Sequence, residues 1–162
     1  MHPYDETWPA AFDRARRQLA DVLGPVPVEH IGSTAVPGMP AKPVIDIAAR
    51  VADPSAVDDE ALAGIGFERN PGGPRTHPTY VRDSGGRRTH ILHLYPPAQW
   101  QDLNQLLLRD LLRSNPEAAR RYGELKLRLA AEGLSGRAYT AAKTELVQEL
   151  TDTARRASGL PP

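Results

Sequence analysis

The sequence predicts an α+β fold: a small mixed β-sheet with helices packed on it and a helical C-terminal part. Three observations carry that expectation. Short β-branched runs bounded by glycine and proline occupy the region before Tyr95. One amphipathic helical segment precedes them and another is set between them. From Pro97 onward the apolar residues fall only at helical spacing.

Residues 8–23 read as a helix. Ala11, Phe12, Ala15, Leu19 and Val22 recur at helical spacing, while Arg14, Arg16, Arg17 and Asp21 lie largely elsewhere. Gly24 and Pro25 end it. Residues 26–31 form a short, turn-bounded strand, and Val44 to Val51 a better one, with Val44, Ile45, Ile47 and Val51 apolar and mostly β-branched. Asp53-Pro54-Ser55 stops that strand and starts a helix over about 55–64, ended by Gly64. Residues 65–70 look like a strand and 71–74 a loop. Residues 79–83 and 87–95 form a hairpin, because Ser84-Gly85-Gly86 has turn chemistry. Three helices follow. Trp100, Leu103, Leu107 and Leu111 stripe the first. Asn115 suits the N-cap of the second and Pro116 its first position, with Ala118, Tyr122, Leu125 and Leu129 as its stripe. Gly133 and Gly136 separate it from a third, striped by Tyr139, Ala142, Leu146 and Leu150. The helices could pack on the sheet or face it as a lobe.

The chain has 162 residues, which suits one domain, and 40% apolar residues, enough for a core. Twenty Lys+Arg balance twenty Asp+Glu, which disfavours a nucleic-acid binder, as does the lack of a basic run interleaved with aromatics. The first 80 residues carry a net −4 and the rest +4. There is no cysteine, so disulfides, thiolate metal sites and Cys nucleophiles are excluded. No apolar run approaches the roughly 20 residues a membrane helix needs. The N-terminus lacks the basic-then-apolar order of a signal peptide, so a cytoplasmic protein without a membrane partner is expected. No pattern sets an oligomeric state.

The candidate chemistry begins with Glu29-His30-Ile31-Gly32-Ser33-Thr34 and ends at Asp46. A Gly-Ser step after a strand lets a phosphate approach the backbone, though a tight turn capped by Ser or Thr is the plainer account. Asp46 interrupts an apolar strand. It needs a partner such as Lys42, Arg50 or a metal, either as a functional group or as a structural ion pair. His30 adjoins the Gly-Ser turn. His93 and His90 sit on opposite faces of one strand and cannot chelate as a pair. His2 and His77 look incidental. On the helices, Arg109 and Arg113 recur at spacing four, as do Tyr122 with Lys126 and Tyr139 with Lys143. These cations could converge on a phosphate or carboxylate, or could snorkel at the surface.

These residues resemble a known pattern. HIGSTAVPGMPAKPVIDI (30–47), HLYP (93–96), LRDLLRSNPEAARRYGELK (108–126) and YTAAKTELV (139–147) are similar to the motifs of the GrpB family of bacterial proteins, in the family's order. The resemblance covers nearly the whole chain. It implies a fold like that of the nucleotidyltransferase superfamily. Domains of this kind are also fused to dephospho-coenzyme A kinase, which hints at nucleotide or coenzyme A chemistry. In nucleotidyltransferases, Gly-Ser is followed by a strand bearing two carboxylates that hold two Mg²⁺ ions, with a third carboxylate nearby. Gly32, Ser33 and Asp46 match that pattern. Ala48 stands where the second carboxylate should be, and no acidic residue lies between Arg87 and Tyr95.

The expected protein is therefore nucleotidyltransferase-like. It would act on a nucleotide or other anionic small molecule, such as a phosphorylated metabolite, through a degenerate metal site. Asp46, Ser33 and Lys42 would carry catalysis. His30, Gly32, Ser33, Thr34, Lys42, Arg109, Arg113, Tyr122, Lys126, Tyr139 and Lys143 would bind the ligand. A divalent metal (Mg, Mn or a histidine-compatible ion) would be held by Asp46 and His93. The alternatives are a non-catalytic nucleotide- or coenzyme A-binding module and a structural or interaction domain.

Overall fold

The structure, a computed structural model, describes residues 1–162. Helix α1 (Trp8–Leu23) has the expected ends: Pro9 sits in its first turn, where a missing N–H costs nothing, and Gly24 leaves it at φ +76°. Strand β1 (Val28–Ile31) is shorter than expected because Pro25 and Pro27 have no N–H for a ladder. A 3₁₀ turn (Ser33–Ala35) and strand β2 (Ile45–Arg50) follow.

The helix expected over 55–64 is two pieces. Asp53 accepts from Ser55 N at 2.8 Å and closes a 3₁₀ turn at Pro54–Ala56. Asp58 accepts from Glu60 N and Ala61 N at 2.9 and 3.1 Å and caps α2 (Asp59–Gly64). Strand β3 is only Glu68–Arg69, and β4 (Thr79–Ser84) and β5 (Arg87–Tyr95) form the hairpin.

The C-terminal part has four helical segments, α3 (Pro97–Trp100), α4 (Asn104–Ser114), α5 (Pro116–Ala131) and α6 (Gly136–Ala157), where the sequence led us to expect three. The extra break lies before Asn104. Leu103 is extended, with ψ 110°, and buries its side chain with Ile31, Ala48 and Tyr95 instead of continuing a helical stripe. Asn115 caps α5 as expected, accepting from Ala118 N at 3.0 Å.

The sheet order is β1-β2-β5-β4-β3; β2 and β5 run parallel and the other neighbours antiparallel. On the back face, Ile45, Ile47, Ala49, Tyr80, Leu92 and Leu94 meet Ala15 and Leu19 of α1, with Leu62 and Phe67, in the main core. Each fully buried large side chain there is worth about 1.5–3 kcal/mol. The register puts Asp46 beside Ile31 and Ile91, and Ala48 beside Glu29 and His93, all on the front face. The helical part covers that face. Val36 and Met39, from the segment after the 3₁₀ turn, pack with Leu112, Ala118, Tyr122 and Leu150 in a second cluster. No helix is long and apolar enough to cross a membrane.

Candidate functional site

The site is built where the β1–β2 connection meets α5 and α6. Gly32 turns the chain at φ +71°, a left-handed value that suits glycine. It also lies against the carboxylate of β2: a Cβ there would stand 2.6 Å from Asp46 Oδ2. Glycine is thus required twice, for the turn and for the approach. Thr34 fixes the turn to the next strand. Its hydroxyl donates to Val44 O at 3.1 Å and lies 3.0 Å from His30 Nε2.

Asp46 looks from this junction into a cavity of about 230 Å³ that is also lined by Ser33, Thr34, Lys42, Lys126, Tyr139 and Lys143. The whole chain contains three lysines, and all three line this cavity. Every one of the nine ion pairs uses an arginine. Lys126 is 2% exposed. Its Nζ donates to Pro40 O at 2.5 Å and lies 4.9 Å from the centre of the Tyr122 ring. Two more ammonium groups bracket Tyr139, with Lys143 Nζ at 4.4 Å and Lys42 Nζ at 5.4 Å from the ring centre.

Burial and repulsion set the proton affinities. Burial pushes the Asp46 carboxyl up to about 7, with Lys143 pulling the other way. Burial, helped by Lys143, brings the Lys126 ammonium down to about 7. Burial lowers Lys143 as well; Lys42 adds to that and Asp46 opposes it. A carboxyl and an amine that both change charge near neutrality can exchange a proton with a ligand at little expense, the condition for general acid–base work.

Several expected site residues have other roles. Arg109 donates from Nη1 to His30 O at 3.0 Å and to Glu29 Oε2 at 2.7 Å, and from Nε to Asp110 Oδ1 at 2.7 Å. Arg113 donates to Ala35 O at 2.8 Å. These two guanidiniums brace the residues on either side of the Gly32–Thr34 turn and do not line the lysine cavity, though Arg109 lines a small neighbouring one with Gly32, Ser33 and Tyr122. His30 points to the back face. It stacks on Phe12 at 4.8 Å, and burial, reinforced by Arg113 and Arg109, brings its imidazole down to about 4. It props Thr34 and does not reach the cavity. Tyr122 lies under Lys126 and beside Ser33, lining a small neighbouring cavity that also contains Gly32.

The expected Asp46–His93 metal pair does not come together. His93 Nδ1 lies 2.9 Å from His77 Nε2 and outside the cavity, and no three His, Cys, Asp or Glu side chains gather as a metal site. The cavity does not fit a two-ion cage: it offers one carboxylate, a methyl group at Ala48 and three ammonium groups that repel a dication. His77, which looked incidental in the sequence, is the partner of His93. Ile91, across from Asp46 in the register, completes the apolar wall of the cavity.

A family profile described as GrpB protein matches residues 1–153. The chain belongs to the GrpB family. A relative, the UPF0157 protein YqkA of Bacillus subtilis, is 34% identical over 158 residues; the match covers 94% of this chain but 46% of YqkA, so the chain spans about half the length of that relative. Among solved structures, the conserved GrpB protein from Enterococcus faecalis superposes with a TM-score of 0.86 at 30% identity, covering 97% of this chain and 98% of that one. Terminal uridylyl transferase 4 from Trypanosoma brucei with bound dUTP superposes with a TM-score of 0.58 at 13% identity, covering 98% of this chain and 56% of that one. That likeness is one of fold alone: this chain folds as part of that transferase does.

Proposed function

We propose that this GrpB chain binds a phosphate- or carboxylate-bearing small molecule, a nucleotide or phosphorylated metabolite, between Asp46 and the three lysines, without a metal bridge. The observation that carries this reading is the placement of every lysine of the chain in one cavity beside a single carboxylate. Elsewhere the chain uses arginine for its positive charge. Lysine differs in being a compact point charge whose proton affinity falls readily on burial. Ammonium groups would then supply the charge that metal ions supply in a two-carboxylate site. Ser33 would orient the anion at the Gly32 turn, and Asp46 would take the proton of an acceptor hydroxyl as its oxygen bonds to a phosphorus of a phosphorylated ligand, the bond from that phosphorus to the departing oxygen breaking in exchange.

A second reading, a non-catalytic binder of nucleotides or coenzyme A derivatives, is favoured by Ala48. One experiment tests both. Thermal shifts with nucleoside phosphates and coenzyme A derivatives are measured with EDTA and with Mg²⁺ or Mn²⁺. Stabilisation that persists in EDTA and is lost in Lys126→Met and Lys143→Met supports the cavity. Stabilisation that needs the metal, or survives in both variants, refutes it. Turnover of a bound ligand that disappears in Asp46→Asn separates the transferase from the binder.

A further inference from the structure

Outside the lysine cavity, the front face of the sheet carries a second cluster of ligating side chains. His93 and Tyr95 lie one above the other on β5, their rings 7° from parallel with centres 6.3 Å apart. His77, from the segment leading into β4, packs against both, its ring centre 5.1 Å from that of His93 and 4.3 Å from that of Tyr95. Its Nε2 lies 2.9 Å from His93 Nδ1 and 3.1 Å from the Tyr95 hydroxyl, while its Nδ1 lies 3.0 Å from Thr76 Oγ1. Gln105 donates to the same Tyr95 hydroxyl at 2.8 Å. One imidazole nitrogen thus faces two partners at once. A single N–H can point well at only one of them, and a single lone pair can accept well from only one.

We infer that His77 Nε2, His93 Nδ1 and the Tyr95 hydroxyl form a binding site for one divalent transition-metal ion of the zinc or cobalt class. Ligand atoms about 2.0–2.1 Å from a tetrahedral ion stand about 3.3 Å apart. The observed 2.9 and 3.1 Å, the two edges that meet at His77 Nε2, need only a few tenths of an ångström of opening. Imidazole donors select ions of this class over Mg²⁺ or Ca²⁺. His77 and Tyr95 also line an open cleft of about 340 Å³, which leaves room for water as the remaining ligands of the ion.

The test is titration of the tag-free protein with Co²⁺ and Zn²⁺. Calorimetry should give one equivalent with a dissociation constant at or below the low micromolar range, and Co²⁺ should show the visible absorption of a nitrogen-ligated ion. His77→Gln and His93→Gln should each weaken binding at least tenfold, and Tyr95→Phe by less. His77 lies outside the regular elements and is only partly buried, so its replacement leaves the core intact, checked by circular dichroism. The inference is overturned by no binding below millimolar metal, or by affinity unchanged in folded His77→Gln. Neither result bears on the lysine cavity, whose ligand binding is read in EDTA.

Discussion

Asp46→Asn should make the protein more stable, and increasingly so as the pH rises. The carboxyl titrates at about 7 in the folded protein against an ordinary 3.8. The difference, about three pH units at 1.36 kcal/mol each, is worth about 4 kcal/mol. The sign follows from proton counting. Between these two values the folded state holds a proton that the unfolded chain has lost, so ionisation opposes folding increasingly as pH rises from 3.8, and the penalty is complete above about 7. Asparagine has nearly the same shape and never ionises. The stability difference between variant and wild type should therefore be near zero at pH 4 and grow by about 1.4 kcal/mol per pH unit. Asp46 is partly open to the cavity, so water there reduces the plateau at pH 8 to about 2–4 kcal/mol. The assay is urea unfolding of both proteins at pH 4.5, 6, 7 and 8, followed by the fluorescence of Trp8 and Trp100. Taking the difference cancels the titrating groups that do not interact with Asp46, leaving its own ionisation and that of Lys143. A gap that stays flat with pH, or an Asp46→Asn variant that becomes relatively weaker as pH rises, refutes the reasoning, because the lysines would then outweigh burial.

Two further perturbations probe the frame of the site. Gly32→Ala places a methyl group against Asp46 Oδ2 and forces a left-handed alanine; it should cost about 1–2 kcal/mol from the backbone conformation alone and abolish ligand-induced thermal shifts. Arg109→Met should destabilise by about 2–4 kcal/mol in urea by stripping His30 O and Glu29 of their donor, yet the ligand affinity of whatever remains folded should change less than in Lys126→Met.

Much of this was legible in residues 1–162, and the exceptions have physical causes. The α1 ends, the hairpin and the Asn115 cap followed from local chemistry. The break at Leu103 did not, because its side chain serves a tertiary contact that mimics helical spacing. In the site, Gly32, Ser33, Asp46, Lys42, Lys126 and Lys143 could be found from pattern and resemblance. That Arg109 and Arg113 stand outside the lysine cavity was not legible, because periodicity tells which helix face is buried and not what it meets. His77 was missed because its partner lies across a loop of no fixed period. One signal stood in plain view: three lysines among twenty basic residues. A chain that places arginine at every other cationic position marks the few positions where arginine will not serve.

The cavity walls belong to two separately held layers. Ser33 and Asp46 are anchored to the sheet, whose cluster with α1 is the larger, while Lys126 and Lys143 ride on helices gathered round the smaller cluster at Leu112 and Tyr122. An anion gripped by both sides would act as a bolt through the seam. Amide hydrogen exchange should then slow first in α5 and α6 on ligand addition, with the sheet strands already protected. The pattern of protection would report occupancy before the chemistry of the ligand is known.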